Sequence, residues 1–115
     1  MTALYRVDLT AATNADLRHS AALADTAGTA IDLTGVAISF AAEHEPGAAV
    51  LAASTTNGRI VVTNALLGRF DLVIPAAALA PIAPGLYQHD LLLTRTGRVD
   101  RIWSGTLRLE HGVTV

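Results

Sequence analysis

Four histidines and ten acidic residues are the side chains of this 115-residue sequence best suited to acid–base or metal chemistry. Glu43 and Glu45 flank His44, and Asp90 follows His89 in the stretch PGLYQHDLLL. A protein metal site needs three or four such side chains converging on one point. Neighbours along a β-strand point to opposite faces, so His89 and Asp90 cannot both ligate one ion from a regular strand. No H-x-H pair occurs, the spacing that would put two imidazoles on one strand face. A metal-dependent enzyme would require His19, His44 and His89 to converge, and no metal or cofactor is expected.

Nucleophilic chemistry is equally unsupported. The chain has no cysteine and no G-x-S-x-G turn. Ser104 lies in mid-strand, and Glu43 and Glu45 sit beside the EPGA turn, where a solvated hairpin end explains them. Neither glycine-rich phosphate motif occurs. No catalytic residue is therefore expected, and the sequence does not read as an enzyme.

Composition points to contact with other proteins. Hydrophobic residues make up 51% and charged residues 16%, against roughly 25% charge in ordinary globular domains. So apolar a surface on one small domain predicts association, because large exposed apolar patches are rare on monomers. The net charge is −2 and there is no basic run, which argues against nucleic acid. All eight cationic residues are arginine. Aromatic residues amount to 4%, too few for the stacking platform that glycan or single-strand binding usually wants. Arg6 and Asp8 interrupt any N-terminal signal sequence, and no run approaches the ~18 apolar residues of a membrane helix. A soluble, non-secreted chain with no membrane or small-molecule partner is expected.

The elements that carry these residues are short strands between turn signals about every ten residues, a pattern of β-sandwiches. Tyr5, Val7 and Leu9 share one face of the first strand, and Leu17, His19, Ala21 and Leu23 one face of the second. Val36, Ile38, Phe40 and Ala42 form the clearest core strand of the first half, and Phe70, Leu72 and Ile74 repeat the pattern. Asn57-Gly58 reads as a hairpin turn. Pro75 followed by alanines predicts a short helix crossing an end of the sandwich, stopped by Pro81. A long hairpin then turns at Thr96–Arg98, with Gly105 marking a bulge or a close backbone approach. Val99, Arg101 and Trp103 are expected on one face before that glycine, Leu107 and Leu109 after it.

The segments IDLTGVAISF and NGRIVV, followed by GRFDLVIPAAALAPIAPGLYQHDLLLTRTGRVDRIWSGTLRL, resemble the N-terminal domain of bacteriophage baseplate upper proteins. The likeness runs from about Asp32 to Leu109 and rests on turns and strand alternation. It implies an Ig-like sandwich that serves as a virion structural module, packs against other tail proteins in symmetric copies and carries no catalytic residues. His89 stands where that family often has an aromatic ring, and Asp90 matches its aspartate, for which a structural hydrogen bond near the helix crossover is expected.

The sequence thus predicts an all-β fold: a single antiparallel Ig-like β-sandwich over residues 1–115, with one short helical crossover near residues 75–80. The function expected is that of a small tail or baseplate assembly module, assembled in the bacterial cytoplasm and acting as a symmetric homo-oligomer. Alternatives are a module that contacts host glycan or receptor, and a capsid decoration protein. Expected contact residues are Leu92, Arg101, Trp103, His111, Val113 and Val115, and lysine-free strand edges are expected to pair with neighbours.

Overall fold

The computed structural model describes residues 5–114. Nine strands form two stacked sheets: β1 (Tyr5–Arg6), β2 (Leu9–Ala12), β3 (Leu17–Ala22), β4 (Ala37–Glu43), β5 (Ala49–Ser54), β6 (Ile60–Asn64), β7 (Arg69–Ile74), β8 (Gly85–Arg95) and β9 (Arg98–Glu110). Among the described residues, one helix, α1 (Ala76–Leu79), and a 3-10 turn at Ala65–Leu67 join these strands. The larger sheet runs β1-β9-β8-β4-β5, with β2 also on β9, and the smaller runs β3-β7-β6. The all-β Ig-like sandwich with a short helix at 76–79 is as the sequence predicts.

Alternation along the strands builds the core. Ile38, Phe40, Ala42, Phe70, Leu72, Ile74, Leu91 and Leu93 are all buried, each two residues from the next on its strand. These inward rows are the apolar faces legible in the sequence. Burial of this kind contributes about 25 cal/mol per Å² of apolar surface.

Three features depart from the sequence pattern. First, β1 and β2 join the larger sheet in parallel to β9, so it is mixed rather than wholly antiparallel. Second, the Asn57-Gly58 turn makes no hairpin: β5 pairs with β4 in one sheet and β6 with β7 in the other. Asn57 Oδ1 instead accepts from the Ser54 and Arg59 amides, turning the chain from one layer to the other. Third, the irregularity in β9 falls at Ile102, not at Gly105. Leu91 faces Trp103 and Leu92 faces Arg101, which leaves Ile102 as the extra residue.

Gly105 is instead a point of close approach. A Cβ there would lie 1.9 Å from the Val7 carbonyl oxygen and 3.0 Å from Asp8 Oδ1. The first strand is held here by Asp8, whose Oδ1 accepts from the Thr106 amide and hydroxyl, each at 3.0 Å. Those two bonds, the amide first, keep the Asp8 carboxyl below its ordinary range, with Arg6 adding to the effect. Asp16 does the equivalent work for α1, accepting from the Ala76 amide at 2.7 Å across 60 residues of sequence.

Candidate interaction surfaces

Trp103 does not lie on the surface. It is 1% exposed, with Phe70 at 5.7 Å, the His19 edge at 5.6 Å and His89 at 6.4 Å between ring centroids. The extra residue Ile102 reverses the alternation, so Ile102 and Trp103 both turn inward and only Arg101 stays on the outer face. The expectation that Trp103 makes contacts with a partner is therefore corrected: it is the centre of the core.

His89 lies beside it, 4% exposed and 5.2 Å from the Phe40 ring. Neither ring nitrogen has a hydrogen-bond partner. Burial pushes its pKa below the ordinary value of 6.5. Backbone at Val7 and Thr106 and the charges of Asp8 and Asp90 pull the other way, without well-directed bonds to the ring. His89 is thus folded in as the neutral ring. As pH falls below about 6.5 the unfolded chain binds the proton first, so this contribution to stability is present above that pH and is lost on the way down. Denaturant midpoints should drop from pH 7 to pH 5, and His89→Leu should flatten that slope; an unchanged slope would mean another group governs it.

The four histidines do not gather. His19 and His89 pack on Trp103, whereas His44 packs on Tyr87, 5.9 Å away. Among the described residues no group of three His, Cys, Asp or Glu side chains is placed to hold a metal ion. Asp90 is also not near the helix crossover: it sits in mid-sheet opposite Ser104, with its carboxylate 3.3 Å from Arg101 Nε.

Leu92 and Arg101 are cross-strand neighbours, both partly exposed on the outer face of the larger sheet. Beside them a polar groove of about 310 Å³ is lined by Arg6, Glu43, Gln88, Asp90, Arg101 and Thr106, with the buried His89 ring at its floor. Its two carboxylates and two guanidiniums balance, and the small residues Ala41 and Gly105 also line it.

The two ends of the sandwich carry aliphatic surface. At one end the 3-10 turn holds Leu66 and Leu67 in solvent, 71% and 46% exposed. The turn itself is fixed: Asn64 Oδ1 accepts from the Leu67 amide, Ala65 O accepts from the Leu33 and Gly68 amides, and Gly68 O accepts from Leu23. Gly68 has φ +67°, and a Cβ there would meet Leu23 O at 2.5 Å. The sequence signal for this turn is a leucine pair between an Asn cap and a left-handed glycine.

At the other end a cleft of about 590 Å³ is lined by Pro84, Leu86 and Leu109, with Arg108, Glu110 and His111. His111, an expected contact residue, thus lines a cleft and is exposed. Val113 is 86% exposed. The segment that carries it is tied to the turn between β2 and β3, with Asn14 donating to Thr114 O at 2.8 Å and Gly112 donating to Thr13 Oγ1 at 2.9 Å. Val115 lies outside the described residues.

Part of one strand edge is covered. On β5 the Ala52 carbonyl accepts from Arg59 Nη1 and Asn57 Nδ2, and the Ser54 amide donates to Asn57 Oδ1. Arginine here does part of the blunting that lysine does elsewhere.

No family model and no curated protein matches the sequence. Among solved structures, the endo-beta-1,4-mannanase from Thermotoga petrophila is similar over 89% of this chain, with a TM-score of 0.53 and 13% identity. The chain spans 18% of the mannanase chain. At that identity the likeness is one of fold alone.

Proposed function

We propose that the chain is a structural assembly module of a bacteriophage tail or a related particle, acting by protein–protein packing rather than by catalysis. The observation that carries this is how its apolar surface is distributed. Phe40, Phe70, Tyr87 and Trp103 are buried, whereas Val50, Val61, Leu66, Leu67, Leu86, Val99 and Val113 stand exposed. Aliphatic side chains offered to solvent on strands and short turns suit dry packing against another protein. The phage context rests on the sequence resemblance, whose motifs fall at fold-defining positions: Asp32 accepts from the Thr34 amide and hydroxyl, and the Pro84–Leu93 stretch leads into the central strand β8.

A second reading, contact with a host glycan, is favoured by the polar groove on the larger sheet. That groove has no exposed aromatic ring to stack on a sugar, so packing remains the preferred reading. The two separate experimentally. Purified particles from a host that encodes the chain should contain it in fixed ratio to other tail proteins by mass spectrometry. Its absence from particles, together with glycan binding by the isolated chain, would reverse the preference.

A further inference from the structure

We infer that two copies of this chain pair through β3, edge to edge and antiparallel about a two-fold axis at Ser20, so that their three-stranded sheets join into one. The inference rests on the assembly reading and names the strand and the register that carry it. β3 stands at the edge of the order β3-β7-β6. Its six residues pair with β7 without a register shift. The other edges are interrupted. β5 is partly covered by Asn57 and Arg59, β6 shifts register between Val62 and Asn64, and β1 and β2 are two short pieces. A regular, uncovered edge strand is the one that another strand can extend. No proline, lysine or acidic residue stands in β3 to oppose this.

The free backbone groups set the register. The Leu23 amide donates to Gly68 O at 2.8 Å, and bonded residues alternate along an antiparallel ladder. Leu17, His19 and Ala21 therefore direct their backbone groups at β7. The N–H and C=O of Arg18, Ser20 and Ala22 point off the edge, and among the described residues no other backbone group takes them up. One antiparallel register between two copies uses all of these groups: Ser20 opposite Ser20, with Arg18 opposite Ala22 on either side. The side chains then select the chain's own strand as the occupant. In this register a large side chain meets a small one each time. Arg18 faces Ala22 on the outer face, and His19 faces Ala21 on the inner face. No like charges stand directly opposite each other, which would oppose pairing. The inner face supplies a second reason. A cleft of about 290 Å³ opens between β1 and β3, lined by Tyr5, Val7, His19, Ala21 and Trp103. Trp103 is buried there, and its Nε1 has no hydrogen-bond partner. A buried indole N–H ordinarily finds one. His19 of the second copy, set over Ala21, brings an acceptor ring nitrogen to the mouth of that cleft.

The chain has no cysteine, so single cysteines report the register directly. Residues opposite each other at a hydrogen-bonded antiparallel pair lie about 5.5 Å apart between Cα atoms, within reach of a disulfide. Ser20→Cys should therefore give a disulfide-linked dimer under mild oxidation. Arg18→Cys alone and Ala22→Cys alone should stay largely uncrosslinked, because each new thiol lies about 13 Å along the strands from its own copy. Mixed, those two variants should cross-link to each other. All three side chains are exposed, so each variant should keep the unfolding midpoint of the parent. Sedimentation velocity of the parent should show a dimer as concentration rises. A parent that associates while Ser20→Cys cross-links no faster than Arg18→Cys would overturn the β3 contact and leave the assembly reading standing. Failure of the mixed Arg18→Cys and Ala22→Cys variants to cross-link would overturn the register at Ser20. A parent that stays monomeric throughout would remove the contact and the assembly reading together.

Discussion

Trp103→Ala is expected to lower stability by about 3–5 kcal/mol, the range for removing a large buried aromatic. Small domains have only about 5–15 kcal/mol in total, so urea unfolding should show a much lower midpoint or no folded baseline at all. The cause is geometric. Ile102 adds a residue to β9, and the ring turns into the space between Phe70, His19 and His89. Trp103→Phe should recover much of the loss, because a ring remains against Phe70. A loss under about 1 kcal/mol for Trp103→Ala would place the side chain at the surface.

Gly105→Ala is the second large effect, and it arises from backbone rather than from a cavity. The new methyl carbon would stand 1.9 Å from Val7 O and 2.7 Å from Val7 C, so the first strand must move off β9. Overpacking of this kind typically costs about 1–3 kcal/mol, and more where backbone must yield. The loss should be local at first. The Val7 amide, which donates to Ser104 O at 3.0 Å, should lose protection from hydrogen exchange. Amides of the β4–β8 pairing should lose it only with global unfolding. Equal losses at both places would mean that the β1 contact has no separate stability.

These two positions also show where sequence reasoning runs out. Period-two burial is a local property, and it is legible at Ile38–Phe40–Ala42 and Phe70–Leu72–Ile74 because each residue reports its own face. The short helix was readable from Pro75 and its alanines, since proline presets the first turn. The bulge at Ile102 was not readable, because nothing in VDRIWSG distinguishes an inserted residue from a regular one. Gly105 drew attention as a bulge or close approach, and only the path of Val7 and Asp8, about a hundred residues earlier, decides between them. Asn57-Gly58 misled for a similar reason: the dipeptide specifies a turn, but the sheet that receives β6 is chosen by the inward faces of Ile60 and Leu72. Of the expected contact residues, Leu92, Arg101, His111 and Val113 reach the surface, and Trp103 does not. The leucine pair at the turn was missed because apolar residues in loops are ordinarily read as filling beneath them. Here Asn64 and Gly68 lock the backbone so that the side chains point away.

The histidine–aspartate pair that first suggested chemistry has a different meaning in the fold. His89 is a neutral ring in the core between Phe40 and Trp103, and Asp90 is an outer-face partner of Arg101. Alternation turns the two side chains to different faces of β8, although both border the polar groove of the larger sheet. The exposed aliphatic side chains stand on strands as well as turns, and the proposed account of assembly rests on them.

Sedimentation velocity of the unmodified chain over a wide concentration range tests that account most directly. A monomer has a mass of 11.9 kDa. The account predicts a weight-average mass that rises above this value with concentration and falls again on dilution. A single species of 11.9 kDa at every concentration, with the fold intact by circular dichroism, would contradict it.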